Sequence, residues 1–183
     1  MELVVPTVEH VSSYLTALEC GWTFDAFFTG GEENALFLAR NSPQLLVDTV
    51  NGDASSSVTL PSGDPVPRLP SIMRWIWDGE FVGSVNVRWQ SGTPELPAYV
   101  LGHVGYGVVS GRQGRGYATA ALAGILPFAW DAGLPFVELT TTLDNIASQK
   151  VITNNGGVVV GEFTAPAEQG SHRMFRWRIS PTE

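Results

Sequence analysis

The sequence predicts a single α+β domain, mixed α/β in its strand order, on a sheet that is mostly antiparallel with one parallel strand pair. Three observations carry this. Asp78-Gly79 stands between two runs rich in Val, Ile, Trp and Phe, the signal of a tight β-hairpin. "GRQGRGYATAALAG", residues 111–124, sets a glycine-rich loop between a strand pattern and an apolar helical one. A further strand pattern, "PFVELTTT", follows that helix. The crossover is then long enough to make the two strands parallel.

In chain order, "LVV" reads as a short strand, and "TVEHVSSYLTALE" as a helix with Thr7 as its N-cap. Residues 24–47 are helical in parts, most clearly at "ENALFLARN". Residues 48–70 are dense in Ser, Pro, Gly and Asp, and one long loop is expected there. "SIMRWIWDGEFVGSVNVRWQ" is the hairpin, and "AYVLGHVGYGVV" adds an arm after the turn-like "SGTPELP". A helix begins at about Tyr117, and Pro127 inside it should bend it. "DNIASQKVITNNGG" is a helix capped by Asp144 or Asn145 and ended by Gly156 or Gly157. "VVVGEF" and "HRMFRWRIS" are the last strands, and Phe175, Trp177 and Ile179 share one face.

With 183 residues and 44% apolar side chains, residues 1–183 can bury one core as one domain. No run approaches a membrane span, and "MELVVPTVEH" lacks the basic start and long apolar stretch of a signal peptide. Cys20 is the only cysteine, which excludes an intrachain disulfide and leaves no cysteine partner for a metal. A cytoplasmic protein without membrane partner or metal is expected. The net charge of −8 argues against nucleic acid as a partner. The charge is uneven: twelve acidic residues face four arginines through Ser110, while six of each sign follow. The second part suits a phosphate-bearing ligand, and the first a cationic one.

Bare backbone and positive charge at a helix start suit an anion. The first turn has N–H groups without intrahelical partners, the helix dipole adds positive charge, and glycine leaves the approach open. Arg112 and Arg115 add full charges; a basic surface turn would show the same string. Two nucleotide motifs fail. "GHVGYG" spaces its glycines in the reverse order of the dinucleotide fingerprint, and the only lysine, Lys150, lies outside any Gly-Lys-Ser/Thr string.

Gln113-Gly114-Arg115-Gly116-Tyr117-Ala118 matches the Gln/Arg-x-x-Gly-x-Gly/Ala loop between a strand and a helix. With "GHVGY" before it and "DNIASQKVITNNGG" after it, the chain resembles the GNAT superfamily of acyl-CoA-dependent N-acetyltransferases over about residues 72–165, and within it a bacterial branch of predicted acetyltransferases. The resemblance implies acetyl-CoA as cosubstrate and a parallel strand pair at the acyl-CoA site. Backbone N–H groups of Gln113, Gly114, Arg115, Gly116, Tyr117 and Ala118 would hold the pyrophosphate. Main chain of Val108 and Val109 would pair with the pantetheine arm, and an N–H there would polarise the thioester carbonyl. Asn145 would contact pantetheine, Ser148 would sit near the sulfur, and Lys150 would reach for the phosphates or remain a solvated lysine.

The chain departs from the family in two places. Ile152 stands where many members carry a tyrosine that protonates the leaving thiolate, which passes that role to Ser148 or water. Gly102 stands at about the usual place of a glutamate base, with His103 beside it. Of the three histidines, His103 is the one on the strand that feeds the loop, and it titrates near neutral pH; Tyr106 is the fallback polar group. The catalytic candidates are therefore Ser148, His103 and Tyr106, set against structural roles for each.

The implied reaction is direct attack of a primary amine on the thioester, once a base or water has taken the amine proton. The acceptor is a small amine or a protein N-terminus. The acid excess before Gly111 favours a cationic one, with Glu32, Glu33 and Glu95 as contacts. A non-catalytic acyl-CoA sensor or scaffold is the alternative from another class. The apolar helix "YATAALAGILPFAW" suits burial on two sides, which core packing or a homodimer would explain equally.

Overall fold

The computed structural model describes residues 1–23, 31–52, 57–59, 63–167 and 170–181. The chain starts with strand β1 (Glu2–Val4) and a 3-10 turn (Val8–His10), in which the Thr7 N–H donates to His10 Nδ1 at 3.3 Å. Helix α1 (Val11–Glu19), helix α2 (Gly31–Asn41) and helix α3 (Pro43–Asn51) follow. Leu46, Val47 and Val50 recur at helical spacing and are buried, so α3 runs through 48–51, where a loop was expected. Short strands β2 (Ser57–Thr59) and β3 (Pro65–Pro67) pair antiparallel within the rest of that stretch. The described residues of 48–70 thus include a helix end and an antiparallel strand pair, while residues 53–56 and 60–62 lie outside the described residues; in α3 apolar periodicity outweighed the turn-forming composition around it.

Asp78-Gly79 joins β4 (Ser71–Trp77) to β5 (Phe81–Arg88), and β6 (Val104–Val108) pairs with β5. Helix α4 (Tyr117–Asp131), strand β7 (Val137–Thr142), helix α5 (Ile146–Asn154) and strands β8 (Val158–Thr164) and β9 (Arg173–Ile179) complete the order. Pro127 lies inside α4 without ending it. Ala121, Leu122, Ile125, Leu126 and Ala129 are buried, while Ala120, Ala123 and Pro127 are exposed. Core packing thus covers one side of α4 and leaves the other exposed.

Besides the β2–β3 pair, the described strands form two larger sheets, ordered β1-β4-β5-β6 and β7-β9-β8, each internally antiparallel. They meet where β6 and β7 begin. The His103 N–H donates to Glu138 O at 2.7 Å, and a Cβ on Gly102 would lie 3.1 Å from that oxygen. Glycine is what allows this approach. No ladder continues from the junction among the described residues, so the expected parallel pair is closed at its base and parted beyond it.

Two cores flank the β1-β4-β5-β6 sheet, and the first of them also covers β7 and β9. On one face α4 and α5 pack Leu122, Ile125 and Ile152 against Ile76, Val85, Val87, Val137 and Leu139. On the other, α1–α3 pack against Met73, Trp75 and Phe81, with Tyr14 stacked on Trp75 at 4.6 Å between centroids. Alternation assigns the β5 side chains to these faces: Val85 and Val87 point to α4, so Ser84 and Asn86 point away from it. No helix among the described residues is long and apolar enough to cross a membrane.

Candidate active site

The gap between β6 and β7 takes its chemistry from strand register. The Val109 N–H donates to Val82 O at 3.0 Å, and the Arg88 N–H to His103 O at 2.9 Å. Antiparallel strands alternate their hydrogen-bonded rungs, so the main chain of Tyr106 and Val108 points away from β5 and into the gap. Val108 keeps the orientation needed for an added strand, whereas the N–H of Val109 is taken by β5. The Val108 carbonyl accepts from Gln113 Nε2 at 3.1 Å, which ties the glycine-rich loop to the strand.

That loop runs through a 3-10 turn (Ser110–Arg112) to Gly114 at φ +75° and Gly116 at φ +84°. Both values lie in the left-handed region, where glycine is unstrained. Gly116 is the N-cap of α4 and carries no side chain to cap it. The first helical bond runs from the Ala120 N–H to Gly116 O at 3.0 Å. The N–H groups of Tyr117, Ala118 and Thr119 are therefore without intrahelical acceptors at the positive end of the helix. The Tyr117 side chain turns aside, its hydroxyl donating to Asp78 Oδ2. That bond and the chain's amino group hold the Asp78 carboxyl below its usual range.

A cavity of about 630 Å³ opens on these groups. Of the residues expected at the site, Tyr106, Val108, Gln113, Gly114, Gly116, Tyr117, Ala118, Asn145 and Ser148 line it. Arg112, Thr119 and Lys150 line it as well, with Arg112 also ion-paired to Glu80. Thr119 was not expected, although counting three residues from the Gly116 N-cap finds its free N–H. Val109, Arg115 and His103 lie off the wall, as do Glu32, Glu33 and Glu95. Glu32 and Glu33 are exposed in the first turn of α2, and Glu95 is held by Thr93 on the β5–β6 loop.

Asn145 caps α5, its Oδ1 accepting the Ser148 N–H at 3.0 Å. This turns Ser148 toward the strand gap. Ser148 Oγ lies 2.7 Å from the Tyr106 hydroxyl, which also reaches Ser148 O at 3.2 Å. Burial pushes the Tyr106 phenol up to about 12, and the Ser148 bond only partly offsets this. A phenol that stays protonated at neutral pH donates a proton or a hydrogen bond. Tyr106 is therefore a hydrogen-bond donor at neutral pH rather than a base.

His103 is 1% exposed. Its Nδ1 accepts the Glu138 N–H at 2.9 Å, and its Nε2 lies 3.1 Å from Pro94 O, which only an Nε2–H can serve. Both ring nitrogens are committed to main chain, and desolvation lowers the pKa. Gly102 is closed against β7, so no glutamate fits there, and Ile152 is fully buried in the core.

His103→Ala should cost about 3 kcal/mol of stability, because it opens a cavity and leaves the Glu138 N–H and Pro94 O unpaired. The sign with pH follows from the lowered folded-state pKa. The unfolded chain binds the proton more readily, so this contribution is complete above the unfolded value of about 6.5 and is lost as pH falls below it. Urea unfolding of both proteins from pH 5 to 8 checks this: the cost of the substitution should shrink toward pH 5.

A glycine-lined helix start beside a strand whose main chain is open to a gap suits a phosphate-bearing ligand whose arm lies along that strand. Residues 69–158 match the family model described as an acetyltransferase (GNAT) domain. No curated protein matches the chain. Among solved structures, it is similar to RimJ of Mycobacterium smegmatis in complex with CoA-disulfide: 17% identity, TM-score 0.63, 97% of this chain and 80% of that one. It is similar to the spermidine N-acetyltransferase SpeG of Vibrio cholerae: 12% identity, TM-score 0.62, 98% and 95% covered. It is also similar to the microcin C7 self-immunity acetyltransferase MccE in complex with acetyl-CoA and AMP: 13% identity, TM-score 0.61, 98% and 91% covered. At these identities the likeness is one of fold.

Proposed function

We propose that the chain transfers the acetyl group of acetyl-CoA to a primary amine by direct attack, with Ser148 and Tyr106 protonating the leaving thiolate. The observation that supports this best is the Tyr106–Ser148 pair on the wall of the cavity, 2.7 Å apart. Gly114, Gly116 and the N–H groups of Tyr117 to Thr119 hold the pyrophosphate. The pantetheine arm runs along the Val108 main chain, and an N–H of β6 facing the gap polarises the thioester carbonyl. The neutral amine forms the new N–C bond, and the C–S bond breaks as the tetrahedral intermediate collapses. Ser148 Oγ–H gives its proton to the sulfur and regains one from the Tyr106 hydroxyl, which is reprotonated from water, so that the proton given up by the amine balances the one gained by the thiol. The proton lost by the amine passes to water, because neither nitrogen of His103 is free to take it.

The negative first part of the chain steers an ammonium toward the protein, from a small amine or a protein N-terminus, in the cytoplasm where acetyl-CoA is supplied. Glu32, Glu33 and Glu95 line no part of the cavity, so this attraction acts through the summed field rather than through a built carboxylate site. Free-thiol release from acetyl-CoA over a panel of primary amines tests the proposal beside CoA binding by calorimetry. Amine-dependent release that rises with pH toward the amine pKa is expected. Tight CoA binding with no amine-dependent release would instead establish the sensor alternative.

A further inference from the structure

We infer that Asn86, with Ser84 beside it on β5, orients the acceptor, and that the acceptor carries a neutral amide-like group next to its reacting amine. This rests on the acetyl-transfer reading. Ser84 and Asn86 pair in register with Trp75 and Met73, both in the core beneath α1–α3, so they project from the face opposite α4 and α5. On the other side their register partners are Gly107 and Gly105 of β6. Strand β6 therefore places no side chain between this polar pair and the gap on that face, although neither residue lines the cavity itself. Gly105 and Gly107 are only half-buried, which gives an approach across them. The Tyr106–Ser148 pair occupies the opposite face, since Tyr106 packs with the α4 core. The gap thus has a thiolate side and an acceptor side.

Asn86 is 0% exposed and Ser84 3%. Among the described residues, neither Asn86 Oδ1, Asn86 Nδ2 nor Ser84 Oγ has a hydrogen-bond partner. Buried polar side chains are nearly always paired, and three unpaired atoms in adjacent rungs beside a reaction gap call for a ligand. The donor set names its chemistry. An asparagine amide offers one acceptor and two donors, the complement of a group with one C=O and one N–H. Arg88 shares this face one rung further on, its Nε donating to Gly102 O at 3.0 Å. A fixed guanidinium disfavours a second positive charge on the acceptor and favours a neutral amide.

The probes are alaninamide, butylamine and spermidine, each titrated calorimetrically into CoA-loaded protein and assayed for thiol release. Wild type should bind alaninamide at least about tenfold more tightly than either amine lacking an amide, and Asn86→Leu should erase the difference. Ser84→Ala should reduce it by a few fold, and both variants should keep their CoA affinity. Asn86→Leu should unfold no earlier than wild type, since an unpaired amide gives way to an apolar group of similar size. Equal binding of the three probes by wild type, or an undiminished preference in folded Asn86→Leu or Ser84→Ala, overturns the inference. Asn86-dependent alaninamide binding without thiol release from any amine would sustain it while removing the transfer reaction.

Discussion

Gly114→Glu should weaken acetyl-CoA binding at least about 100-fold, or about 2.7 kcal/mol. Two costs add. Gly114 sits at φ +75°, where an L side chain is disfavoured by about 1–2 kcal/mol. The new carboxylate also stands in the loop that must receive a pyrophosphate, so like charges meet at short range. A Cβ at Gly114 has nothing within 4 Å, so the substitution leaves the packing alone and the protein should fold. Gly114→Ala separates the terms. It carries only the backbone strain and should lose about tenfold or less. Calorimetry with CoA gives both constants, and unchanged affinity in the glutamate variant would remove the basis of the assignment.

Ser148→Ala should lower kcat by about 100- to 1,000-fold while CoA affinity stays within a few fold. A donor to a developing charge acts mainly in the transition state, and losing one such donor typically costs about 2.7–4 kcal/mol. Tyr106→Phe should cost less, because Ser148 Oγ still reaches the sulfur and lacks only its own donor. The double variant should fall well short of the product of the two, as residues in one hydrogen-bond chain are coupled. With the phenol near 12, the wild-type pH–rate profile should show no tyrosine limb between pH 6 and 9. Wild-type turnover in Ser148→Ala would return the serine to packing beside its cap.

Much of this site was legible in the order of residues. Gly114 and Gly116 announce a loop that only glycine fits comfortably, and Asn145 three residues before Ser148 announces an N-cap. Other features were misplaced. His103 looked like a base because histidine titrates near neutral pH, yet its two bonds lead to Pro94 and Glu138, 9 and 35 residues away. Tyr106 looked like a spare base until its partner 42 residues on proved to be Ser148. Residues 48–51 looked like loop because turn-forming residues surround them, while Leu46, Val47 and Val50 were already pointing one face inward.

By itself, then, the sequence determined the β-hairpin at Asp78-Gly79, the glycine-rich helix start, the α5 cap and the strands around them. Each depends on backbone preferences and hydrogen bonds within a few residues, and these are local. Only the tertiary structure decided that the sheets part beyond the junction at Gly102 and His103, which β6 main-chain groups face the gap, and which side chains share a face there. Those outcomes follow from register, since shifting a strand by one residue exchanges its two faces. The pairing of β5 with both β4 and β6 thereby sets Tyr106 on the α4 face and Asn86 on the other.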